Sequence, residues 1–390
     1  MSSIVIQGDT SGSITVEAPS VAGTHTLTLP KATGNIATDA TVGLGMKNRI
    51  INGNMVIDQR NAGASQNNSA GSAFSADRWK FYGDQATKFS IQQQTSVVPN
   101  NFTYALAITS LSAYTVGSGE LFQIYQNIEG YNIADLGWGT AAAKTVTLSF
   151  WVRSSLTGTF GGSLKNSASN RSYPFTYTIS SANTWEQKSI TIAGDTTGTW
   201  ATTTSTGIAL NIGLGVGSTY SGTAGAWAAA NYLSATGATS VVGTSGATFY
   251  ITGVQLEVGE NATPFENRMY GTELALCQRY YEKNYDINTA PATNTSKGLE
   301  QVAGTIDGNQ NFYHNVRFAV PKRANPSINF YKSDGTANTW RYDRSGASNQ
   351  SGTPAVGDNG DSSFYMRIPS TGATWVVATT GGFWTASAEL

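Results

Sequence analysis

The chain has 390 residues, of which only 12% are charged, and its net charge is −1. Soluble globular domains average about 25% charged residues, so the polarity here comes from Ser, Thr, Asn and Gly instead. A chain of this length predicts two or three domains. Without a positive net charge we expect no nucleic-acid partner, and without a long apolar run we expect no membrane insertion.

Several catalytic and metal chemistries are excluded by the residue types present. Cys277 is the single cysteine, which excludes an intrachain disulfide and a zinc site built from cysteines. His25 and His314 are the only histidines, which argues against a His-rich metal centre. No P-loop and no Gly-x-Ser-x-Gly motif occurs, and the first residues lack the pattern of a secretion signal. We therefore expect no cofactor, no metal and no catalytic residues, and synthesis in a cytosol.

The segment 1–45 predicts short strands without a core of their own. Apolar residues alternate with polar ones in three places: Ile4/Ile6, Ile14/Val16 and Leu27/Leu29. This period of two is typical of half-buried strands. So short a segment cannot bury a core by itself, and we expect a partner chain to complete it. The alternative interpretation is a flexible tail.

The segment 46–268 predicts an antiparallel jelly-roll sandwich. Nine strand-like runs follow one another, separated by Gly, Ser or Asn: KFSIQQQTSV, YALAITSL, GELFQIYQNI, KTVTLSFWVRSS, GTFGGSLKN, RSYPFTYTIS, WEQKSITIAG, GIALNIGLGVG and ATFYITGVQLEVG. In the fourth run one face is apolar, with Val146, Leu148, Phe150 and Val152. The sequence GLGVG is interpreted as strand rather than as a nucleotide-binding loop, because no helix follows it.

One stretch, 264–285, departs from this pattern. Apolar residues recur there at helical spacing, which predicts a short helix over 272–280 with Thr272 as its N-cap. The remaining segment, 286–390, predicts a second, smaller β-sandwich with long polar loops. The chain is thus expected to be all-β, in four parts: an N-terminal segment 1–45, a jelly roll 46–268, a linking helix 269–285 and a C-terminal β domain 286–390.

Several segments resemble bacteriophage virion-fibre proteins. VIQGDTSGSITVEAPSVAGTHTLTLP resembles the N-terminal segments of tail fibres. RIINGNMVIDQRN, FSADRWKF and ITGVQLEVGENATPFENRMYGTELALCQRYYEK resemble the start and the end of the jelly-roll module that follows in such proteins. VRFAVPKRANPSI and WTASAEL resemble their C-terminal domain. The resemblance implies a virion attachment segment, a jelly roll similar to carbohydrate-binding modules, and frequent trimerisation.

These features lead to a functional expectation with two alternatives. We expect a tail fibre of a virion assembled in the host cytoplasm. It would dock to other virion proteins through 1–45, form a homotrimer and adhere non-covalently to a host cell-surface polysaccharide. Because the N-terminus is the expected docking end, the adhesive tip is expected in 286–390. The alternatives are a structural head or capsid fibre and a glycan-depolymerising tailspike.

Glycan binding requires exposed aromatic faces beside polar side chains. The preferred candidates flank the polar loops of the C-terminal domain: Trp340, Tyr342, Phe364 and Tyr365. A rival site lies in the jelly roll, with Trp200 and Trp227 and, beside them, Trp138, Tyr220 and Tyr232. Other aromatics are expected in the core or in strands: Trp79, Phe150 and Trp185. The competing interpretation of all these candidates is ordinary packing.

A depolymerase would need two carboxylates about 5–10 Å apart across a glycosidic bond. No pair stands out among the acidic residues available: Asp307, Asp334, Asp343, Asp358, Asp361, Glu257, Glu260 and Glu266. Asp77 and Arg78 are expected to form an internal ion pair next to Trp79 as a core anchor. No EF-hand pattern occurs, although jelly rolls can hold Ca²⁺ through scattered oxygens.

Overall fold

The computed structural model describes residues 3–7, 13–17, 46–304, 311–344, 347–369 and 378–390. The chain divides into two compact units, Met1–Gly43 and Leu44–Leu390. Within the described residues, no helix has both the length and the apolar character needed to cross a bilayer.

The N-terminal unit contains one antiparallel hairpin. Strands β1 (Ser3–Gln7) and β2 (Ser13–Glu17) pair with Ile4 opposite Val16 and Ile6 opposite Ile14. The strands predicted from these four apolar residues are therefore confirmed. The third predicted strand, at Leu27 and Leu29, lies outside the described residues.

The second unit begins with a jelly-roll sandwich, and all nine strand-like runs are strands in it. Its strands are β3 (Gln66–Asn67), β4 (Gly71–Phe74), β5 (Lys80–Gly83), β6 (Phe89–Gln94), β7 (Ala105–Ser110), β8 (Leu121–Glu129), β9 (Val146–Ser154), β10 (Gly158–Asn166), β11 (Ser172–Ile179), β12 (Glu186–Ile192), β13 (Thr206–Val216), β14 (Ser221–Gly222), β15 (Ser234–Ala235) and β16 (Thr248–Val258). Three 3₁₀ turns interrupt them: Gly130–Asn132, Ala134–Leu136 and Ser218–Tyr220. GLGVG forms the end of β13, which includes all of it but Gly217, so the prediction of strand is confirmed.

Two six-stranded antiparallel sheets face each other across one core. The first has the order β11-β10-β13-β8-β5-β4 and the second the order β12-β9-β16-β7-β6-β3. The predicted apolar face of β9 is fully buried in this core and consists of Val146, Leu148, Phe150 and Val152. Trp79, which was also predicted to lie in the core, is fully buried there as well. Alternation of apolar and polar residues along each strand thus separates the core from the outer faces.

The single α-helix in the described part of the chain, α1 (Tyr270–Gln278), starts two residues earlier than predicted. Its N-cap is Met269, without a side-chain cap hydrogen bond, so the prediction of Thr272 as N-cap is wrong. Glu273 lies in the first turn, where a carboxylate is favoured by the helix dipole, and accepts a hydrogen bond from the backbone N–H of Asn52. The first turn of the helix is thus hydrogen-bonded to the segment that precedes β3, while no side chain caps it.

After the helix come nine strands in two antiparallel sheets. They are β17 (Tyr281–Lys283), β18 (Glu300–Gly304), β19 (Asn311–Arg317), β20 (Ser327–Tyr331), β21 (Trp340–Arg344), β22 (Ala347–Gly352), β23 (Ala355–Asn359), β24 (Ser363–Pro369) and β25 (Ala378–Ser387). Strand β25 is the hub of the larger sheet and pairs with β17, β18, β20 and β21, while β22 pairs with β21. The smaller sheet has the order β19-β24-β23. Much of the segment predicted as a long polar loop is therefore strand, in β22 and β23.

A cluster of charges and aromatic rings joins the sandwich to the C-terminal sheets. The carboxylate of Glu389 accepts hydrogen bonds from Arg60, at 3.0 Å, and from Arg78. The guanidinium of Arg60 lies 3.6 Å from the ring centroid of Tyr281, and that of Arg78 lies 3.6 Å from the ring centroid of Tyr280. Buried charges are tolerated when they are paired, and here one carboxylate serves two guanidinium groups.

The predicted ion pair between Asp77 and Arg78 does not form. Arg78 turns to Glu389, with a positive φ of 70°, whereas Asp77 accepts hydrogen bonds from the backbone N–H and the side-chain amide of Gln59, at 3.0 and 2.5 Å. The core anchor is confirmed, because Trp79 is fully buried and its indole N–H donates to the carbonyl of Asn52 at 2.9 Å.

Asp77 gives the protein a testable pH dependence. Burial raises the pKa of this carboxyl from 3.8 to about 6, against the opposing effect of Arg60. The folded state therefore holds the proton more tightly than the unfolded chain, and stability falls as the pH rises from about 3.8 to about 6. The ionised carboxylate should cost about 1 to 3 kcal/mol at neutral pH.

The measurement is the urea midpoint between about pH 5 and about pH 7.5. We expect wild-type protein to be more stable at the lower pH, and Asp77→Asn to lose most of that difference. Asp135→Asn, at an exposed position, is the matched control and should keep it. A pH dependence that is the same in Asp77→Asn and wild type would contradict the assignment.

Candidate functional site

The C-terminal aromatics proposed to bind glycan are mostly interior. Trp340 and Phe364 are each 1% exposed and Tyr342 is 4% exposed, in the core between the two C-terminal sheets. Tyr365 is the one of the four that is partly exposed, and its ring lies 6.1 Å from that of Tyr313. A ring that stacks on a sugar needs an open face, so the first three are not placed for this role.

The jelly-roll aromatics form a packed cluster at one end of the sandwich. The rings of Trp138, Trp200 and Trp227 meet edge to face, with centroids 4.8 to 5.4 Å apart. Each indole N–H donates within the protein: Trp138 to Lys144 O and Trp227 to Ala193 O at 2.8 Å, and Trp200 to Asp195 Oδ2 and Thr197 O at 3.3 Å. Trp138 and Trp200 are buried, so this arrangement fits packing better than ligand binding.

The other aromatics named from the sequence are Tyr220, Tyr232 and Trp185. Tyr220 and Tyr232 are partly exposed, and the ring of Tyr232 covers Gly222 so closely that a Cβ there would come within 2.2 Å of it. Trp185 packs edge to face against Tyr250 on the second sheet, with ring centroids 6.2 Å apart.

A polar groove of about 280 Å³ lies instead on the outer face of the first sheet. In its floor Tyr125 (β8) and Asn211 (β13) lie directly opposite each other, and this row of paired residues continues beyond the lining to Lys80 (β5) on one side and Ser163 (β10) on the other. Residues adjacent to this row continue the floor and walls: Gln123, Asn127, Lys165 and Ala209. We call this the β8–β13 groove.

Small residues on β13 give the groove its depth. Ala209 lies opposite Asn127 and Lys165, and Gly213 lies opposite Gln123, so the central strand carries little side-chain volume there. A Cβ at Gly213 would come within 2.9 Å of Ser234 Oγ, in β15. A glycine at this position accommodates the close approach of β15.

One buried polar atom beside the groove has no hydrogen-bond partner. Gln123 is 7% exposed, and its Oε1 has no hydrogen-bond partner among the described residues. An unpaired buried carbonyl costs free energy unless a further donor completes it. The amide of Asn211 donates to Ser163 Oγ at 3.1 Å, and the hydroxyl of Tyr125 is within 2.7 Å of Ser72 Oγ. The tyrosine ring is thus held in place at the surface.

This combination of groups suits a sugar. Amide carbonyls accept from hydroxyls, amide N–H groups donate to them, and a tyrosine ring offers an apolar face. The residues that line the groove include no Asp or Glu. The groove can therefore bind a hydroxyl-rich ligand, but it does not provide the pair of carboxylates that glycoside hydrolysis uses.

The acidic residues considered as candidates for glycoside hydrolysis do not line the β8–β13 groove. Glu257 is buried and accepts hydrogen bonds from the backbone N–H and hydroxyl of Thr263, and Glu266 accepts from the backbone N–H groups of Lys47 and Asn48. Others are exposed on loops or strands: Glu260, Asp334, Asp358 and Asp361. Asp343 is paired with Arg341 at 2.6 Å, and Asp307 lies outside the described residues. Among the described residues, no group of three His, Cys, Asp or Glu side chains could hold a metal ion.

None of the residues that line the β8–β13 groove was among the predicted site residues. The groove residues of β8 alternate with the core residues Phe122 and Ile124, and Asn211 interrupts an otherwise apolar run. An amide in the middle of a buried-looking strand is a signal that could have been used. The aromatic residues in and beside the loops favoured tryptophan as the binding residue, and these strand positions were therefore not predicted.

Comparisons with known proteins give weak likenesses only. Neither a protein-family model nor a curated protein sequence matches the chain. The enzymatically active domain of tailspike protein 4 from bacteriophage CBA120 is similar over 54% of this chain and 21% of its own length, at 12% identity and a TM-score of 0.27. The family 11 carbohydrate-binding module of cellulase Lic26A-Cel5E from Clostridium thermocellum is similar over 50% of this chain and 99% of its own, at 9% identity and a TM-score of 0.25. The N-terminal cellulose-binding domain of β-1,4-glucanase C from Cellulomonas fimi is similar over 47% of this chain and 90% of its own length, at 14% identity and a TM-score of 0.22. TM-scores this low carry no argument about the function of this chain.

Proposed function

We propose that the protein binds a carbohydrate non-covalently in the β8–β13 groove and serves as a fibre protein of a phage virion. The observation that carries the binding proposal is the polar groove itself, in which the ring of Tyr125 lies among amide and hydroxyl side chains and one lysine. These polar groups would pair with sugar hydroxyls, while the ring covers an apolar face of the sugar.

The virion part of the proposal is supported by the sequence of the first 45 residues and by their separation as a compact unit, Met1–Gly43. In this proposal that segment docks to other virion proteins, three chains assemble into a homotrimer, and the ligand is a host cell-surface polysaccharide. The adhesive surface lies in the sandwich rather than in 286–390. The assignment to a tail rather than to a head fibre is part of the same proposal.

Adhesion without hydrolysis is supported by the chemistry of the groove. Its hydrogen-bonding side chains are mainly amides and hydroxyls, with one lysine and no carboxylate. A shallow groove gives weak affinity per site, and several copies on one particle would raise the overall avidity by about 10²–10⁴-fold. The protein is therefore proposed to hold the host surface rather than to degrade it.

The test is retention of bacterial surface polysaccharides by the immobilised full-length chain. Tyr125→Ala removes the ring and is expected to weaken binding about tenfold or more, in line with aromatic hot spots in other interfaces. Tyr131→Ala is the matched control, because Tyr131 is 60% exposed and lies outside the groove.

Unchanged binding by a folded Tyr125→Ala variant would reject the groove as the site. Release of reducing sugar by the wild-type protein would replace adhesion with catalysis. Equal losses in both tyrosine variants would indicate an effect of the protein surface in general rather than of the groove.

A further inference from the structure

Lys165 is a cation in the groove wall that has only neutral partners. Its Nζ donates to Ser169 Oγ and to Asn231 Oδ1, each at 3.0 Å. Both acceptors are uncharged, and an ammonium group has three N–H donors. One donor of Lys165 therefore remains beyond these two bonds, at the edge of the proposed binding surface.

No acidic residue compensates this charge within the described part of the chain. Lys165 forms no ion pair with any described carboxylate, and no Asp or Glu lines the groove. Burial alone lowers the pKa of Lys165, with no neighbouring charge contributing. By contrast, burial lowers the pKa of Lys322, but the carboxylate of Glu282, 2.5 Å away, raises it.

A partly buried cation without a counter-ion is unfavourable unless a ligand provides one. The neighbouring groups fit such a ligand, since the amide and hydroxyl side chains of the lining can pair with sugar hydroxyls while the ammonium pairs with an anionic group. A single lysine, with no arginine beside it in the lining, matches a group of one negative charge.

We infer that the glycan bound in the β8–β13 groove is acidic, and that Lys165 pairs with a singly charged anionic group on its repeating unit. The inference rests on the proposed function, because it names the class of glycan for the same groove. A sugar carboxylate and a phosphodiester between sugars share this chemistry, and both belong to the polysaccharides of bacterial surfaces.

The experiment presents the full-length chain with paired polysaccharides. Each carboxylate polymer is used intact and after reduction of its carboxyl groups to alcohols, which removes the charge and keeps the sugar chain. Phosphodiester polymers and neutral polymers form two further arms. We expect intact acidic polymers to bind about tenfold or more tightly than reduced or neutral ones, as expected for a hydrogen bond to a charged group.

Lys165→Met tests the residue and Lys144→Met is its matched control. Lys144 is exposed, lies outside the groove lining, and its loss changes the net charge by the same amount. We expect Lys165→Met to bind intact and reduced polymers alike and Lys144→Met to keep the preference. Added salt should weaken the binding of wild type more than that of Lys165→Met.

The outcomes separate the inference from the proposed function. Equal binding of intact and reduced polymers by wild type, or a preference that persists in Lys165→Met, would overturn the acidic-ligand inference and leave glycan binding standing. Binding of no polymer in any arm would overturn the proposed function itself. The wild-type comparison needs no variant, so it decides the question even if Lys165→Met does not fold.

Discussion

Replacing Lys322 with methionine is expected to lower the free energy of unfolding by about 3 to 5 kcal/mol, since breaking a buried ion pair leaves one charge uncompensated. The Lys322 side chain is completely buried, and its Nζ lies 2.5 Å from Glu282 Oε2. The same ammonium donates to the carbonyls of Gln278 and Val320, at 2.6 and 2.7 Å. Methionine would fill the space, but it would leave the buried Glu282 carboxylate and two carbonyls without their donor.

A double variant separates the loss of the charge pair from the loss of packing. Glu282 Oε1 accepts a hydrogen bond from the backbone N–H of Ala319 at 2.8 Å, and a glutamine can keep this acceptor without a charge. Lys322→Met combined with Glu282→Gln should therefore regain much of the stability lost in the single variant. Denaturant titration at neutral pH measures both. A single variant as stable as wild type, or a double variant no better than the single, would contradict this account.

The sandwich strands could be predicted because burial on one face imposes a period of two. Val146, Leu148, Phe150 and Val152 are spaced in this way, and all four are fully buried. A strand carries this signal in its own sequence, whatever its partners are. Strand pairing is different, because the order β11-β10-β13-β8-β5-β4 depends on residues far apart in the chain.

The same rule, applied more strictly, would have placed the C-terminal aromatics inside. Trp340 and Tyr342 alternate with Arg341 and Asp343, which pair with each other at 2.6 Å. In β24 the buried Phe364, Met366 and Ile368 likewise alternate with polar or partly exposed residues. Polar loops close to Trp340 and Phe364 in the sequence suggested that these residues lie on the surface. The period of two along each strand instead places both side chains in the core.

Neither the start of the helix nor the groove could be predicted from local sequence signals. The expected cap at Thr272 rested on residue type, whereas α1 begins at Tyr270, and its first turn is hydrogen-bonded through Glu273 to Asn52, far away in the sequence. The groove contains one row of directly opposed residues from three separate strands, Asn127, Ala209 and Lys165. Strand register creates this row, and no single segment contains it.

Trp200→Ala is expected to destabilise the protein by about 3 to 5 kcal/mol, the usual cost of removing a large buried ring from a packed interior. Trp200 is 6% exposed and lies edge to face against both Trp138 and Trp227, so its removal would leave a cavity between two further indoles. Trp200→Phe retains part of the ring and should cost less.

Thermal unfolding measures both variants, with polysaccharide retention assayed well below their transitions. We expect retention to be preserved, because the indole does not line the β8–β13 groove. If a folded, nearly wild-type-stable Trp200→Ala variant lost retention instead, the tryptophan cluster would be the binding surface and the groove would not.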